Sequence, residues 1–258
     1  MKITVLLENT AVRGDLTAEH GLSLYVETGA HKLLFDMGQT DAFAHNADAL
    51  GVDLAAVDIA VLSHGHYDHG GGLQTFLDRN QTAPVYLSRF AFEPHFHGAE
   101  RYIGIDTALR ENPRLRFNEE ELAIAPGLTL YHCSREESAF PLDSGGLQMR
   151  QGGALRPENF RHEQYLLAEE DGKRILFSGC SHRGIRNIIR WFRPDVLIGG
   201  FHFSKLPLDD TLAQYADDLN GFPTEYYTCH CTGTAQFEFM RQRMARLHYL
   251  SCGQAITL

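Results

Sequence analysis

The chain has 258 residues, of which 43% are hydrophobic, and its formal charge is −10. This amount of apolar sequence supplies the core of one large domain or two small ones and excludes a disordered chain. The acidic balance and the absence of a Lys/Arg run argue against nucleic acid as a partner.

The hydropathy and the cysteine count predict a soluble protein of the cytoplasm. Residues 1–15 hold one lysine and a short apolar run, which is not the pattern of a secretory signal. No segment approaches the ~20 apolar residues that span a bilayer, so no membrane association is expected. Five cysteines, an odd number, predict thiols rather than disulfides. The pattern leaves the oligomeric state open.

Short β-type runs and segments of helical period follow one another along the chain. The predicted strands are KITVLL, LSLYVET, KLLFDMG, IAVLSHG, PVYLS, LTLYHC, QYLLAEE, KRILFSG and DVLIGG. The predicted helices are DAFAHNADALGV, GGLQTFLDRN, GIRNIIRWF, DDTLAQYADDLN and TAQFEFMRQRMARL. Turn residues predict one hairpin from 25–27 to 33–35 and another from 166–168 to 175–177. This mixture predicts an α/β (α+β) chain with sheets covered by helices.

No internal repeat or linker divides the sequence. We therefore interpret residues 1–258 as a single domain. The aromatic-rich segment 88–118 is interpreted as an irregular insertion that covers a site.

The stretch VLSHGHYDHGGGL concentrates metal-ligand residue types directly after an apolar strand. Gly65 lets the backbone turn, so that His64 and His66 face one point. Asp68 and His69 are expected at the start of a helix opened by the three following glycines, where they face a second point, as in two-metal hydrolytic sites. Isolated histidines are usually solvated surface residues, but four ligand-type residues at this density predict a metal site.

The sequence H-G-H-Y-D-H resembles the H-x-H-x-D-H signature of the metallo-β-lactamase fold superfamily. The resemblance implies a metal-dependent hydrolase with an αββα sandwich of two mixed β-sheets flanked by helices. Phe35-Asp36-Met37-Gly38 resembles the first motif of that superfamily, in which the Asp supports the metal loops. KRILFSGC resembles the strand that ends in the fourth motif, here at Cys180, and a thiolate there favours Zn²⁺.

By the same resemblance, two late histidines complete the ligands. His162 precedes a hairpin, as the third motif does, and is the expected third ligand of the first metal. His182 competes with it, because it lies two residues after Cys180 and can face the same ligand. Spacing alone does not separate these two. His230 in CHCTG resembles the fifth motif.

The resemblance thus implies one or two Zn²⁺ ions, with Fe or Mn also suited to such ligands. The implied metal ligands are His64, His66, Asp68, His69, His162, Cys180 and His230, with His182 at the metal or the substrate. The expected catalytic residues are Asp68, His182 and His202.

The remaining histidines and cysteines carry weaker signals. Cys229 and Cys231 are expected in the wall or core, because residues that flank His230 in a strand point away from its ligand. Cys133 and Cys252 are expected to be buried small hydrophobes. The second H-x-H, His95 and His97, is expected in an exposed loop.

The motifs GHYDHGGGL, GCSHRGI, GGFHF and CHCTG together resemble a branch of the superfamily. It is named for 7,8-dihydropterin-6-methyl-4-(β-D-ribofuranosyl)aminobenzene 5′-phosphate synthase. His202 in GGFHF has no counterpart in the general signature, and it is either a substrate or acid/base group or a buried strand-end histidine.

The expected function is hydrolysis of an ester, thioester or phosphoester small molecule by metal-activated water, whose pKa falls to about 7 in zinc enzymes. Two alternatives remain open. One is a non-hydrolytic enzyme of the same fold, with a pterin-related synthase or redox activity. The other is a metal-bound sensor.

Overall fold

A computed structural model of the chain describes residues 1–98, 101–133 and 136–258. The described residues form two compact units. Unit 1 comprises Met1–Glu120, Ser144–Gln164 and Ser251–Leu258, and unit 2 comprises Glu121–Asp143 and Tyr165–Leu250. The single domain predicted for the whole chain stays a prediction.

The regular elements are numbered in chain order. The strands are β1 (Lys2–Leu7), β2 (Ser23–Glu27), β3 (Lys32–Phe35), β4 (Ile59–Val61), β5 (Val85–Ser88), β6 (His95–His97), β7 (Arg101–Tyr102), β8 (Leu115–Asn118), β9 (Leu122–Ala125), β10 (Leu128–Tyr131), β11 (Leu147–Gln151), β12 (Ala154–Pro157), β13 (Tyr165–Glu170), β14 (Lys173–Phe177), β15 (Val196–Ile198), β16 (Glu225–Thr228), β17 (Leu247–Tyr249) and β18 (Ala255–Thr257). The helices are α1 (Ala42–Ala49), α2 (Tyr67–Gly70), α3 (Leu73–Arg79), α4 (Ile185–Phe192), α5 (Asp210–Asn220) and α6 (Thr234–Met240).

Unit 1 is built on a seven-stranded mixed sheet in the order β18-β1-β2-β3-β4-β5-β8. The predicted hairpin forms between β2 and β3, where Tyr25 pairs with Leu34. From β3 to β8 the strands run parallel. The inner strands β3 and β4 are buried apart from Lys32, as expected for parallel strands covered on both faces, and this explains their apolar runs. Phe43 of α1 and Phe76 of α3 belong to the core cluster of this unit.

The parallel part of this sheet positions the candidate site. Because β3 and β4 run in the same direction, their carboxyl ends meet at one edge of the sheet. Asp36 follows β3 directly and His64 follows β4 after two residues. The sheet thus brings together two motifs that lie 28 residues apart in the sequence.

Unit 1 also contains a four-stranded antiparallel sheet, β12-β11-β6-β7, whose strands are not among the predicted ones. Two of its strands, β6 and β7, lie in the segment 88–118, which also supplies β8 to the seven-stranded sheet. The prediction that His95 lies in an exposed loop is wrong, because His95 belongs to strand β6 and its side chain is buried. His97, in the same strand, is exposed.

Unit 2 contains a second seven-stranded mixed sheet, β17-β16-β15-β14-β13-β10-β9. The predicted hairpin forms between β13 and β14, with Leu166 opposite Phe177. Strands β14 to β17 run parallel. Helices α4, α5 and α6 contribute apolar residues such as Ile188, Leu212 and Met240 to the core of this unit.

Helices α1, α3, α4, α5 and α6 lie within the segments predicted to be helical. The prediction that Asp68 and His69 begin the helix opened by the three glycines is wrong. These residues form their own short helix α2, and α3 begins only at Leu73, after the glycines. In the described part of the chain, no helix has the length and apolar character needed to cross a membrane.

Candidate metal centre

Three imidazoles of the loop that follows β4 are gathered in the interior of unit 1. The side chains of His64, His66 and His69 are all buried. The ring centroid of His64 lies 4.7 Å from that of His66 and 4.2 Å from that of His69. Asp68 is also buried. Burying four ligand-type side chains within six residues is costly without a compensating charge, as a metal ion would provide.

Asp36 binds the loop through its carboxylate. Oδ1 accepts the backbone N–H of Ser63 at 2.7 Å, and Oδ2 lies 2.8 Å from Ser63 Oγ and 2.6 Å from His69 Nδ1. The backbone φ of Asp36 is 59°, a left-handed conformation that Asp tolerates better than most residues. The predicted contact between Asp36 and an imidazole of the loop is confirmed.

The hydrogen bonds of Asp36 also determine which nitrogen of each ring carries hydrogen. The Ser63 hydroxyl donates its hydrogen to Asp36, so Ser63 Oγ accepts from His64 Nδ1, which lies 2.8 Å away. His69 Nδ1 donates directly to Asp36. In both rings Nε2 is then the lone-pair nitrogen, the form of a histidine that binds metal while donating its other N–H to a neighbour.

The residues therefore fit a divalent transition metal. The donors are imidazoles and a carboxylate, which suit Zn²⁺, Fe²⁺ and Mn²⁺. Asp68 Oδ2 lies 4.0 Å from His69 Nε2, so a carboxylate oxygen stands next to that lone pair. Burial alone lowers the pKa of His69, but Asp36 and Asp68 outweigh it and raise the pKa. Asp36 and Asp68 thus create a negative potential at His69, which a bound cation would neutralise.

Glycine is required at position 65 because no side chain fits there, and not because the backbone has a positive φ. A Cβ at this position would lie 2.1 Å from the carbonyl oxygen of Ala91, far inside contact distance. Gly65 is not among the residues of positive φ. The segment that precedes β6 thus packs directly against the backbone between His64 and His66.

One buried carboxylate, Glu158, is not among the predicted ligands and lies next to this loop. Glu158 Oε2 is 3.2 Å from His66 Nε2, and Oε1 is 2.6 Å from both His95 Nδ1 and His162 Nε2. The two shorter contacts fall outside hydrogen-bond geometry. All four side chains are buried, and their ligand-type atoms lie within 4.8 Å of one another.

The ionisation of this cluster follows from its contacts. Burial raises the pKa of Glu158, but the three imidazoles outweigh it and hold the pKa below its usual range. Burial and the neighbouring His95 lower the pKa of His162 to about 3, so this ring is neutral at neutral pH. The i, i+4 spacing of Glu158 and His162 in PENFRH is a sequence signal for that pair alone and does not indicate their contacts with His66 and His95.

The predicted site residues of unit 2 follow the carboxyl ends of its parallel strands. Cys180 and His182 come after β14, His202 after β15 and His230 after β16. The ring centroids of His182 and His202 lie 4.4 Å apart. His202 and His230 have φ of 57° and 48°, backbone conformations that are costly in non-glycine residues and that concentrate at functional sites.

Cys231 joins this group. The ligand atoms of Cys180, His230 and Cys231 lie within 4.8 Å of one another, and all three residues are buried. Cys231 is buried as expected, but the reason given for it is wrong. His230–Thr232 is a 3-10 turn rather than a strand, so neighbouring side chains do not alternate between faces.

The other cysteines differ in exposure. Cys229 and Cys252 are buried as predicted, whereas Cys133 is only partly buried. The five cysteines all lie within the described residues, and none of them forms a disulfide there.

Comparison with known proteins identifies the family. The chain is 28% identical to Tm1679, a metal-dependent hydrolase of the β-lactamase superfamily. The structures agree with a TM-score of 0.84 over 100% of this chain and 99% of the other. It is 24% identical to a Methanocaldococcus jannaschii protein, 7,8-dihydropterin-6-methyl-4-(β-D-ribofuranosyl)-aminobenzene-5′-phosphate synthase, over 99% of this chain and 96% of the relative.

A second protein of Methanocaldococcus jannaschii, itself uncharacterized, is 29% identical over 90% of each chain. The profile of the metallo-β-lactamase superfamily matches residues 16–219. The mixed sheets and helices agree with the predicted fold class. The chain therefore belongs to the metallo-β-lactamase superfamily.

Proposed function

We propose that the protein is a metal-dependent hydrolase of small molecules that carry an ester, thioester or phosphoester bond. The observation that carries this proposal is the buried segment from His64 to His69. In it, Ser63 accepts a hydrogen bond from Nδ1 of His64, and Asp36 accepts one from Nδ1 of His69. One or two Zn²⁺ ions, or Fe or Mn in their place, are the cofactor that this donor set favours. A bound ion supplies an activated water near neutral pH and polarises the oxygen of the bond to be cleaved.

The residues of unit 1 have distinct tasks in this proposal. His64, His66 and His69 bind the metal, and Asp36 and Ser63 orient two of the rings. Asp68 is both a ligand and the group that accepts a proton from water. Its Oδ2 lies 3.1 Å from Nε2 of His20, an exposed residue that can pass the proton to solvent.

The residues of unit 2 extend the proposal. Cys180 and His230 are proposed as further metal ligands, and the buried thiol of Cys231 is added because it shares their cluster. A thiolate in the ligand set favours Zn²⁺. His182 and His202 are proposed to contact the substrate or to exchange protons with it, and His182 also competes with His162 for the role of third ligand.

The test measures metal content and hydrolysis on the same protein. Protein purified without chelator is expected to hold one to two equivalents of Zn, Fe or Mn per chain by elemental analysis. The zinc-loaded protein is then assayed on aryl esters, thioesters, and phosphomonoesters and phosphodiesters. His64→Ala should lose both metal and turnover. Protein that binds no added zinc would contradict the proposal.

A second candidate is favoured by the M. jannaschii relative, whose activity is that of a synthase. In this reading, the aminobenzene of a ribofuranosylaminobenzene phosphate attacks the 6-methylene carbon of a dihydropterin, a diphosphate carried on that carbon leaves, and the aminobenzene loses a proton. Incubation of the metal-loaded protein with these two compounds, followed by mass analysis, tests it. Formation of the joined product without hydrolysis in the ester panel would favour the synthase, and metal binding without either activity would favour a sensor.

A further inference from the structure

Glu158 is a buried carboxylate enclosed by imidazoles of unit 1. It follows β12, and its backbone N–H donates to the carbonyl of Leu147 at 3.0 Å, which fixes the start of its side chain. The side chain itself is 0% exposed. Burying a carboxylate costs desolvation free energy, so the contacts of Glu158 must compensate for that cost.

The contact with His66 determines the tautomer of that ring. A carboxylate can only accept, so His66 Nε2, at 3.2 Å from Glu158 Oε2, is the donor. A neutral imidazole has one N–H and one lone pair. The lone pair of His66 is therefore on Nδ1, the opposite choice from His64 and His69, whose Nδ1 atoms are the donors.

Each nitrogen of His162 faces a different neighbouring group. Its Nδ1 accepts the backbone N–H of Gly65 at 2.8 Å. In a neutral ring the hydrogen is then on Nε2, the nitrogen that faces Glu158 Oε1 at 2.6 Å. Neither nitrogen of His162 has a lone pair left to give to a metal. A histidine that binds metal uses the lone pair of one nitrogen for the ion and donates the N–H of the other nitrogen to a neighbouring group.

We infer that Glu158 and His162 are positioning residues for the His64–Gly65–His66 segment and that His162 is not a metal ligand. Glu158 holds the hydrogen of His66 on Nε2 and so presents Nδ1 to the metal. His162 fixes the peptide between the two histidines. This inference rests on the proposed metal centre, and it resolves the choice between His162 and His182 against His162.

The test compares zinc affinity and zinc stoichiometry in matched variants of the full chain. Glu158→Ala should weaken zinc binding about 10- to 100-fold without loss of an equivalent, because it removes support rather than a ligand. Glu158→Gln should recover part of that loss, because its amide oxygen still accepts from His66. His162→Asn should keep the full stoichiometry, since its side-chain oxygen can accept the N–H of Gly65 in place of Nδ1.

Asn80→Ala is the control for a merely structural effect. Asn80 is also buried, and its amide holds the carbonyls of Leu54 and Val57. Its loss should lower the melting temperature and leave zinc affinity unchanged. If Glu158→Ala fails to fold, Glu158→Gln and the spectrum of the unmodified protein still decide the matter.

The spectroscopic readout is the long-range ¹H–¹⁵N correlation spectrum of histidine rings in the zinc-loaded protein. His66 should show zinc at Nδ1 and hydrogen at Nε2, and His162 should show a neutral ring with hydrogen at Nε2 and no zinc. Zinc at His162, loss of an equivalent in His162→Asn, or wild-type affinity in Glu158→Ala would overturn the inference. A chain that binds zinc but shows one of these results refutes only the inference, whereas a chain that binds no zinc refutes the proposed function.

Discussion

Asp36 Oδ2 lies 2.6 Å from His69 Nδ1, and through this contact a residue at the end of β3 orients an imidazole of the short helix α2. The same carboxylate binds Ser63, which in turn holds His64. One buried group therefore sets the orientation of two candidate ligands from opposite ends of the H-x-H-x-D-H motif.

Replacing Asp36 should weaken the metal site without removing a ligand. We expect Asp36→Ala to lower zinc affinity about 10- to 100-fold, because both His64 and His69 lose the group that fixes their tautomer. Competition with a chromophoric chelator measures the affinity. Asp36→Asn is the matched control, and it should retain more affinity because its amide oxygen still accepts one hydrogen bond. A structure with an Asp36 oxygen at bonding distance from the metal would contradict this role.

Replacing the two competing histidines should have different effects on metal content. We expect His182→Ala to lose zinc, whereas His162→Ala should weaken binding but keep the stoichiometry, because the lone pair of His162 Nδ1 is used by Gly65. Elemental analysis of both variants, prepared in parallel, gives the answer. Retention of all zinc by His182→Ala would leave His182 at the substrate alone.

Adding one methyl group at Gly65 should disrupt the site through sterics. Its Cβ would lie 2.1 Å from the carbonyl oxygen of Ala91, so the backbone between His64 and His66 must move. We expect Gly65→Ala to lower the free energy of unfolding by about 1–3 kcal/mol, a typical cost of overpacking, and to weaken zinc binding. Urea unfolding measures the first effect. Gly14→Ala is the control for steric crowding, since a Cβ there has nothing within 4 Å and Gly14 is not among the residues of positive φ.

The buried thiol of Cys252 should make stability fall at alkaline pH. Burial, with a smaller contribution from Glu8, raises the pKa of Cys252 from 9.0 to about 11. The thiol therefore ionises in the unfolded chain before it ionises in the folded one. Its contribution to stability is complete below pH 9 and is lost as the pH rises toward 11, about 3 kcal/mol in total at one pKa unit per 1.36 kcal/mol.

Cys252→Ala isolates that contribution. The free energy of unfolding of the variant should fall less steeply between pH 9 and pH 11 than that of the unmodified protein. Urea titrations at pH 8, 9, 10 and 11 give both curves under the same conditions, with the pH values chosen about the two pKa values. Parallel curves would show that Cys252 does not ionise differently in the two states.

The sequence by itself determined what depends on neighbouring residues. His64, His66, Asp68 and His69 lie within six residues, so their density alone indicates a metal loop. The two hairpins formed as predicted because short turns connect strands that are adjacent in the chain. The helical segments were recognised from their apolar period, since one face of each packs on the core.

Only the tertiary structure decided the contacts between distant segments. Glu158 is 92 residues from His66, and no local pattern of charge or period predicts their hydrogen bond. The strand β6 buries His95, which an isolated H-x-H in an aromatic-rich segment does not reveal. Gly65 is required by the carbonyl of Ala91, a steric demand that exists only after the chain has folded. Local sequence patterns reflect the secondary-structure preference of each segment. The contacts that support a metal site depend instead on which segments the sheets bring together.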